Sequence, residues 1–427
     1  MPHNPRILQV YNRVPFPPRD GGVKAVWHTR QVFEDLGWEV KGFFLNPSRN
    51  RVDPSTLPET MRGHYGKEIV EIDSEIRILR ALATLTARLP YHLLRFESSI
   101  AAKRLGHVIG SYRPDLVLLE GLPMAIYLEA LRPYNCKIWY RSHNIESDII
   151  QQKAASLSPW NPFKLWMQGE YRKMKAFERQ TAGAVDAVLA ISPHDLNQLQ
   201  AMAPEHKETM LHLGYWPVIE SPAEPHTKAK ARVWHGERPL KLGFIGTMDW
   251  LPNQDAVQWL LHEWIPATES WPNRPEFHVA GRKAPAFFAQ KRPAYFFHGE
   301  VEDAQGFMSS CDAMVFPLRM GSGLKIKVLE AMALGIPVIS TAQGVQGMGL
   351  TPGEHYLHAE NAEQFAQTVR EVLDSPNLLP RLSEHALLKF RNNTEQLEQV
   401  AALNNLLRSS LSSGDKATTP KTKTSTA

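Results

Sequence analysis

Residues Arg319-Met-Gly-Ser-Gly-Leu-Lys-Ile-Lys-Val-Leu-Glu330-Ala-Met-Ala-Leu-Gly335-Ile-Pro-Val-Ile-Ser-Thr341 decide the reading of this chain. An apolar strand, Asp312–Pro317, leads into them. Gly321 and Gly323 then relax the backbone, so that peptide N–H groups can come close to a ligand. A helix is predicted from about Leu324 to Leu334, because Val328, Leu329, Met332 and Ala333 recur at helical spacing. Gly335 stops it and Pro337 follows, before the next strand, Val338–Thr341. A glycine loop opening a helix between two strands is a ready anion site. Lys325 and Lys327 add positive charge there. Glu330 lies five residues beyond Lys325, about 7.5 Å along a helix axis, a suitable distance between bound phosphates and ribose hydroxyls. The stretch therefore reads as a nucleotide diphosphate site.

Outward from this unit the same alternation continues. Leu240–Ile245 reads as a strand followed by Gly246-Thr247-Met-Asp-Trp-Leu-Pro-Asn253, and a helix is expected over about 255–264. Glu276–Ala280 is a strand ending at Gly281-Arg282, and Tyr295–Val301 contains another, with His298-Gly299 near its end. In the first half, strand Arg6–Tyr11 runs into a Pro/Gly-rich loop closing on Asp20-Gly21-Gly22, then a helix over about 23–36 and a strand over 38–45. Strands follow at Pro114–Leu119, ending at Glu120-Gly121, and at Lys137–Arg141, which runs into Ser142-His143-Asn144-Ile145-Glu146. A doubly wound parallel sheet binds ligands at the carboxyl ends of its strands. That places Asp20, Gly21 and Gly22 beside a cleft, although Asp20 could equally be a plain helix cap. It also makes His143, Asn144 and Glu146 candidates for a reacting site. Residues 151–181 read as a long basic helix broken near Trp160-Asn-Pro162, and Ser192-Pro193 opens a further helix.

The run Gly321–Val338 resembles the donor-site signature of glycosyltransferase family 4, whose members have the GT-B fold. The resemblance implies two doubly wound, Rossmann-like α/β domains facing one cleft. It further implies transfer of a sugar, with retention of configuration, from a UDP- or GDP-type nucleotide sugar to an acceptor hydroxyl. In that family two glutamates often lie eight positions apart. The second matches Glu330, which the resemblance makes a ribose ligand, and the first falls on Ser322, where this chain departs. Many members also carry an Arg-Lys pair after the strand that here ends at Ile245, and this chain has Thr247, Met248 and Asp249 instead. Arg282, Lys325 and the N–H groups of the loop are left to balance the diphosphate. The donor set is then Gly246, Thr247, Arg282, His298, Gly321, Ser322, Gly323, Leu324, Lys325 and Glu330. The resemblance places nucleobase recognition at His298 and Gly299, although a buried aromatic strand end would explain that histidine as well. It places a sugar-touching histidine at His143, which with Lys325 and Glu330 makes the catalytic set. Asp20, Gly21, Gly22, Asn144 and Glu146 fall on the acceptor side.

Five segments are expected: an acceptor domain over 1–218, a linker over 219–239, a nucleotide-sugar domain over 240–392, a helix over 393–411 crossing back to the first domain, and a disordered tail over 412–427. With 427 residues and a formal net charge of +4, the chain is long enough for two cores and too mildly basic to demand nucleic acid. Cys136 and Cys311 lie beside apolar strands with no CxxC spacing, which suits a reducing cytoplasm. No apolar run reaches the roughly 18 residues of a membrane span. No Asp-x-Asp stands between a strand and a loop to hold a metal, and no cofactor is expected. Arg77, Arg80, Arg88, Arg95, Lys103, Arg104 and Arg113 interleave with leucine and isoleucine, a pattern that suits either an anionic inner membrane surface near a lipid-linked or glycan acceptor or surface helices packed on the sheet. Two other functions share these features: a nucleotide-sugar epimerase or hydrolase, and a binding module without catalysis.

Overall fold

Among the described residues strands alternate with helices through both halves of the chain, and every ladder between named strands is parallel. The structure is a computed structural model and describes residues 4–18, 20–59, 68–75, 87–217, 234, 238–391 and 394–412. It divides into two compact units, Met1–Gly214 with Glu395–Ala427, and Tyr215–Thr394.

The first unit carries β1 (Arg6–Tyr11), β2 (Glu39–Pro47), β3 (Ile69–Ile72), β4 (Leu116–Glu120), β5 (Lys137–Ser142), β6 (Ala187–Ala190) and β7 (Met210–His212). They lie in the order β3-β2-β1-β4-β5-β6-β7. Its longer helices are α1 (Gly21–Asp35), α2 (Ser99–Tyr112), α3 (Glu146–Ser156), α4 (Pro162–Ala184) and α5 (Pro193–Met202). The pleat explains the core. Leu8, Val10, Val117, Leu119 and Tyr140 enter one apolar cluster, while Ile7, Leu116, Leu118 and Trp139 enter another. Residues two apart share a face, so a continuously apolar strand feeds both sides of a covered sheet. Of the basic segment, Arg77 and Arg80 lie outside the described residues. α2 lays Ala101, Leu105, Val108 and Ile109 into the core, so its apolar face is used in packing. The helix expected over 151–181 is broken near Trp160-Asn-Pro162 as expected, into α3 and α4, because Pro162 lacks a backbone donor and suits a helix start.

The second unit holds β8 (Lys241–Ile245), β9 (Glu276–Ala280), β10 (Tyr295–Gly299), β11 (Ala313–Phe316), β12 (Val338–Ser340) and β13 (Leu357–His358), in the order β10-β9-β8-β11-β12-β13. Helices α6 (Leu251–Trp259), α7 (Ala304–Ser309), α8 (Ile326–Ala333), α9 (Ala362–Asp374) and α10 (Leu378–Arg391) cover it, and Trp264 stacks on Phe365 with ring centroids 4.3 Å apart. The expected helix over 255–264 begins at Leu251 and ends in a wider turn over Leu260–Trp264.

The final helix, α11 (Thr394–Ser412), belongs with the first unit. Leu403 and Leu407 are buried in the cluster formed by Ile7, Leu116, Leu118 and Trp139, and the Gly214 amide donates to Gln399 Oε1 at 2.7 Å. Of the expected linker, only residues 234, 238 and 239 are described, and the tail beyond Ser412 lies outside the described residues.

Candidate active site

In a doubly wound sheet the crevice opens where neighbouring strands lead to connections in opposite directions. In the second unit that point lies between β8 and β11. The loop after β11 is the glycine stretch. Gly321 has φ +117° and Gly323 φ +68°, a region that strains any residue with a Cβ. Three side chains fix the loop. Arg319 grips Asp255 of α6 through two bonds of 3.0 and 2.5 Å, with its guanidinium over the Trp259 ring. Lys325 Nζ donates to the carbonyls of Gly321 and Gly323 at 3.3 and 3.1 Å. Gln343 Nε2 donates to the Gly321 carbonyl at 2.5 Å. Ser322 and Leu324 are half-buried beside these fixed points. Glu330 is buried on α8 and accepts from Lys327 Nζ, three residues before it, at 2.7 Å. Burial raises the Tyr215 phenol, and the nearby Glu330 carboxylate raises it further.

The ends of β8, β9 and β10 meet next to this loop's strand. Gly246 N donates to Ala280 O at 3.2 Å, and Gly281 N to Gly299 O at 2.7 Å. A Cβ on Gly281 would stand 2.1 Å from Gly246 O, so only glycine lets these two loops touch. Met248 N donates to Arg282 O at 2.9 Å, Arg282 Nε reaches Thr247 Oγ1 at 3.4 Å, and Asn253 Nδ2 holds Thr247 O at 2.9 Å. Gly246, Thr247 and Arg282 are thus brought together. His298 is placed differently. It is exposed, bonds His278 ring to ring at 2.9 Å, and meets Phe307 of α7 edge-on.

In the first unit the switch point lies between β1 and β4, and His143 stands just past the end of β5, the next strand. Its Nε2 lies 2.6 Å from Glu120 Oε2, a carboxylate with no solvent exposure. Glu120 also accepts from Gln9 Nε2 at 2.7 Å, and Gln9 in turn holds the Val26 carbonyl of α1 at 3.0 Å. The imidazole stacks on Tyr11, with ring centroids 6.0 Å apart. Arg13 Nε donates to the Tyr11 hydroxyl at 3.1 Å and grips Asp20 through bonds of 2.8 and 2.6 Å. Asp20 also caps α1, accepting from Val23 N, so the helix-cap reading of it holds. Gly21 opens that helix, and a Cβ on Gly22 would meet Arg13 Nη2 and the Tyr11 hydroxyl. Asn144 O accepts from Ser142 Oγ at 2.9 Å. Glu146 opens α3, and burial pushes its carboxyl up to about 7 against an opposing bond from Asn144. Glu178 of α4 receives the amides of Glu146 and Ser147 at 2.5 and 3.2 Å, and burial raises it to about 8.

Sequence reasoning missed Glu120, Gln9, Tyr11, Arg13, Asn253, Gln343, Asp255 and Tyr215. A signal existed for Glu120, a charged residue closing the apolar run Leu116–Leu119. Nothing local marks Gln9, which stands in the middle of an apolar strand.

Two parallel sheets of seven and six strands, each clothed by helices, define the two-domain Rossmann-like architecture known as GT-B. The chain is similar in fold to sucrose-phosphate synthase from Thermosynechococcus elongatus (16% identity, TM-score 0.67, 96% of this chain and 100% of the other). It is similar also to HepE of Anabaena in complex with UDP-glucose (12% identity, TM-score 0.60, 95% and 99%). A variant of S. aureus TarM in complex with fondaparinux, α-GlcNAc-glycerol and UDP aligns as well (9% identity, TM-score 0.64, 94% and 99%). No curated protein sequence matches the chain. Residues 239–375 match the family model described as glycosyl transferases group 1. That match lies within the second unit, and together with the fold it supports the glycosyltransferase class.

Proposed function

We propose that this protein is a retaining glycosyltransferase of the family 4 type, moving a sugar from a UDP- or GDP-linked donor to the hydroxyl of a glycan or lipid-linked acceptor in cell-surface polysaccharide or glycan synthesis. The observation that carries this reading is the pinned glycine loop at the switch point of the second sheet, opening onto α8 with a buried glutamate one turn in. Loop amides, the start of α8 and the Lys325 ammonium supply positive potential for a diphosphate, while Thr247 and Arg282 lie on the neighbouring strand ends. The similar HepE structure holds UDP-glucose, which supports a nucleotide sugar as donor here.

In this mechanism Glu330 takes the ribose hydroxyls and the loop takes the diphosphate. His143 contacts the donor sugar, with Asp20, Gly21, Gly22, Asn144 and Glu146 shaping the acceptor side. As the sugar–phosphate bond lengthens, negative charge grows on the leaving phosphate. Fixed donors aimed at that charge stabilise the transition state more than the ground state. The leaving phosphate accepts the acceptor's proton on the same face, which retains configuration. The enzyme would work in the cytoplasm and make peripheral contact with an anionic membrane surface. No described helix is long and apolar enough to cross a membrane. Nucleotide release from UDP- and GDP-sugars, followed with and without acceptor, tests the assignment. Release that depends on acceptor is expected. Release without it would favour an epimerase or hydrolase, and binding with no turnover a binding module.

A further inference from the structure

Helices α3 and α4 meet in a corner that is pinned by its own hydrogen bonds and apolar on the outside, with no acid between Ile149 and Gly169. Asn161 caps α4 by accepting the Phe163 amide at 3.0 Å, and its own amide donates to Ser158 O at 3.0 Å. Lys164 Nζ reaches Leu157 O at 3.2 Å, tying the first turn of α4 to the end of α3. The inward side chains Ala154 and Met167 are buried. Outward, this fixed turn holds Trp160 93% exposed, Leu165 74% and Phe163 44%. Phe163 stacks on Trp166, with centroids 4.8 Å apart, so these two rings form one surface. Large apolar side chains scattered singly on a surface are ordinary, but three within six residues on a stiff turn form a patch that water disfavours.

Along this stretch of chain the charge has one sign. From Ile149 to Gly169 the chain contains Lys153 and Lys164 and no aspartate or glutamate. Beyond α3, Arg95 and Lys153 both lie within electrostatic reach of His92 and Arg49 within reach of Arg95, while the Glu170 carboxylate that accepts the Tyr91 amide is buried. An indole prefers the headgroup level of a bilayer, apolar neighbours enter the acyl boundary below it, and surrounding lysine and arginine draw anionic headgroups. The patch sits on a turn that leads outward between two helices, and a fluid bilayer moulds around such a tip without needing a matching pocket.

We propose that the α3–α4 corner, led by Trp160, seats this protein on an anionic lipid bilayer. The proposal locates the membrane contact in the functional reading above and rests on that reading only for the acceptor being membrane-borne. The full-length chain is sedimented with vesicles of phosphatidylcholine alone and of phosphatidylcholine mixed with phosphatidylglycerol. Binding to the mixed vesicles that weakens with salt is expected, and Trp160→Ser should lower the partition coefficient about tenfold. Lys153→Glu should weaken binding to mixed vesicles while leaving the small binding to neutral ones unchanged. Circular dichroism and acceptor-dependent nucleotide release with a soluble acceptor should stay at wild-type level in both variants. Vesicle binding that ignores lipid charge, or that Trp160→Ser leaves intact, overturns the proposal. So does a concentration-dependent dimer that Trp160→Ser abolishes, since the patch would then face a second copy. Absence of transfer with vesicle binding intact would instead count against the transferase reading alone.

Discussion

At the scale of single residues, the two units present two different electrostatic devices. Glu330 is a buried carboxylate paired with Lys327, and a nucleotide ribose would add hydroxyl donors to an acceptor already held in place. Glu330→Ala should weaken UDP or GDP binding by about 1.5–3 kcal/mol, the worth of a charge-assisted bond. Titration calorimetry reads this directly, and an unchanged dissociation constant would remove the ribose role. His143 differs, because its partner Glu120 is wholly buried and its ring is stacked on Tyr11. His143→Ala should lower kcat by about a hundredfold or more while donor affinity stays within about twofold, as expected of a group that acts at the reacting sugar. Steady-state kinetics alongside donor binding separates the two effects.

At the scale of elements, close approach and buried charge set the tolerances. The β8 and β9 ends touch at Gly246 and Gly281, where a methyl group would stand 2.1 Å from a backbone oxygen. Neither backbone can retreat without shifting its strand. Gly281→Ala should therefore cost about 1–3 kcal/mol in denaturant unfolding, and should also weaken nucleotide binding by moving Thr247 and Arg282. The start of α3 carries the opposite problem. Glu178 caps the Glu146 and Ser147 amides, yet burial lifts it from 4.5 to about 8, and lifts Glu146 from 4.5 to about 7. Folding thus favours the protonated forms. Their stabilising contribution is complete below pH 4.5 and is lost as pH rises through about 7 and then about 8. Glu178→Gln keeps an oxygen acceptor for the helix start but does not ionise. Its Tm should fall less than that of the wild type between about pH 5 and about pH 9, and parallel curves would refute the raised carboxyl.

At the scale of the whole molecule, the chain's end completes the core of its beginning. α11 supplies Leu403 and Leu407 to the cluster that holds β1, β4 and β5 on one face. Leu403→Ala should destabilise the first unit by about 2–5 kcal/mol, since a buried leucine leaves a cavity as well as lost contacts. A lower-temperature transition in calorimetry, with nucleoside diphosphate still protecting the second unit, would show that the loss is confined to the first. A single transition, with nucleotide protection lost as well, would argue that the units do not unfold separately.

Sequence by itself determined the class of fold. Strands such as Leu116–Leu119 are apolar throughout, as a sheet covered on both faces requires, and the glycine loop announces itself because Gly321 and Gly323 need backbone angles that other residues avoid. Such features are local, and local chemistry is legible along a chain. The surroundings of His143 were not. Glu120 is 23 residues away, Gln9 lies 111 residues before Glu120, and neither has a sequence neighbour that demands its partner. The Arg319–Asp255 clasp spans 64 residues and the Gln343 bond to the loop 22. An apolar stripe on α11 says that one face must be covered, not which sheet covers it. Only tertiary structure decided these pairings, because a buried charge or amide takes whichever partner the packed strands bring within about 3 Å.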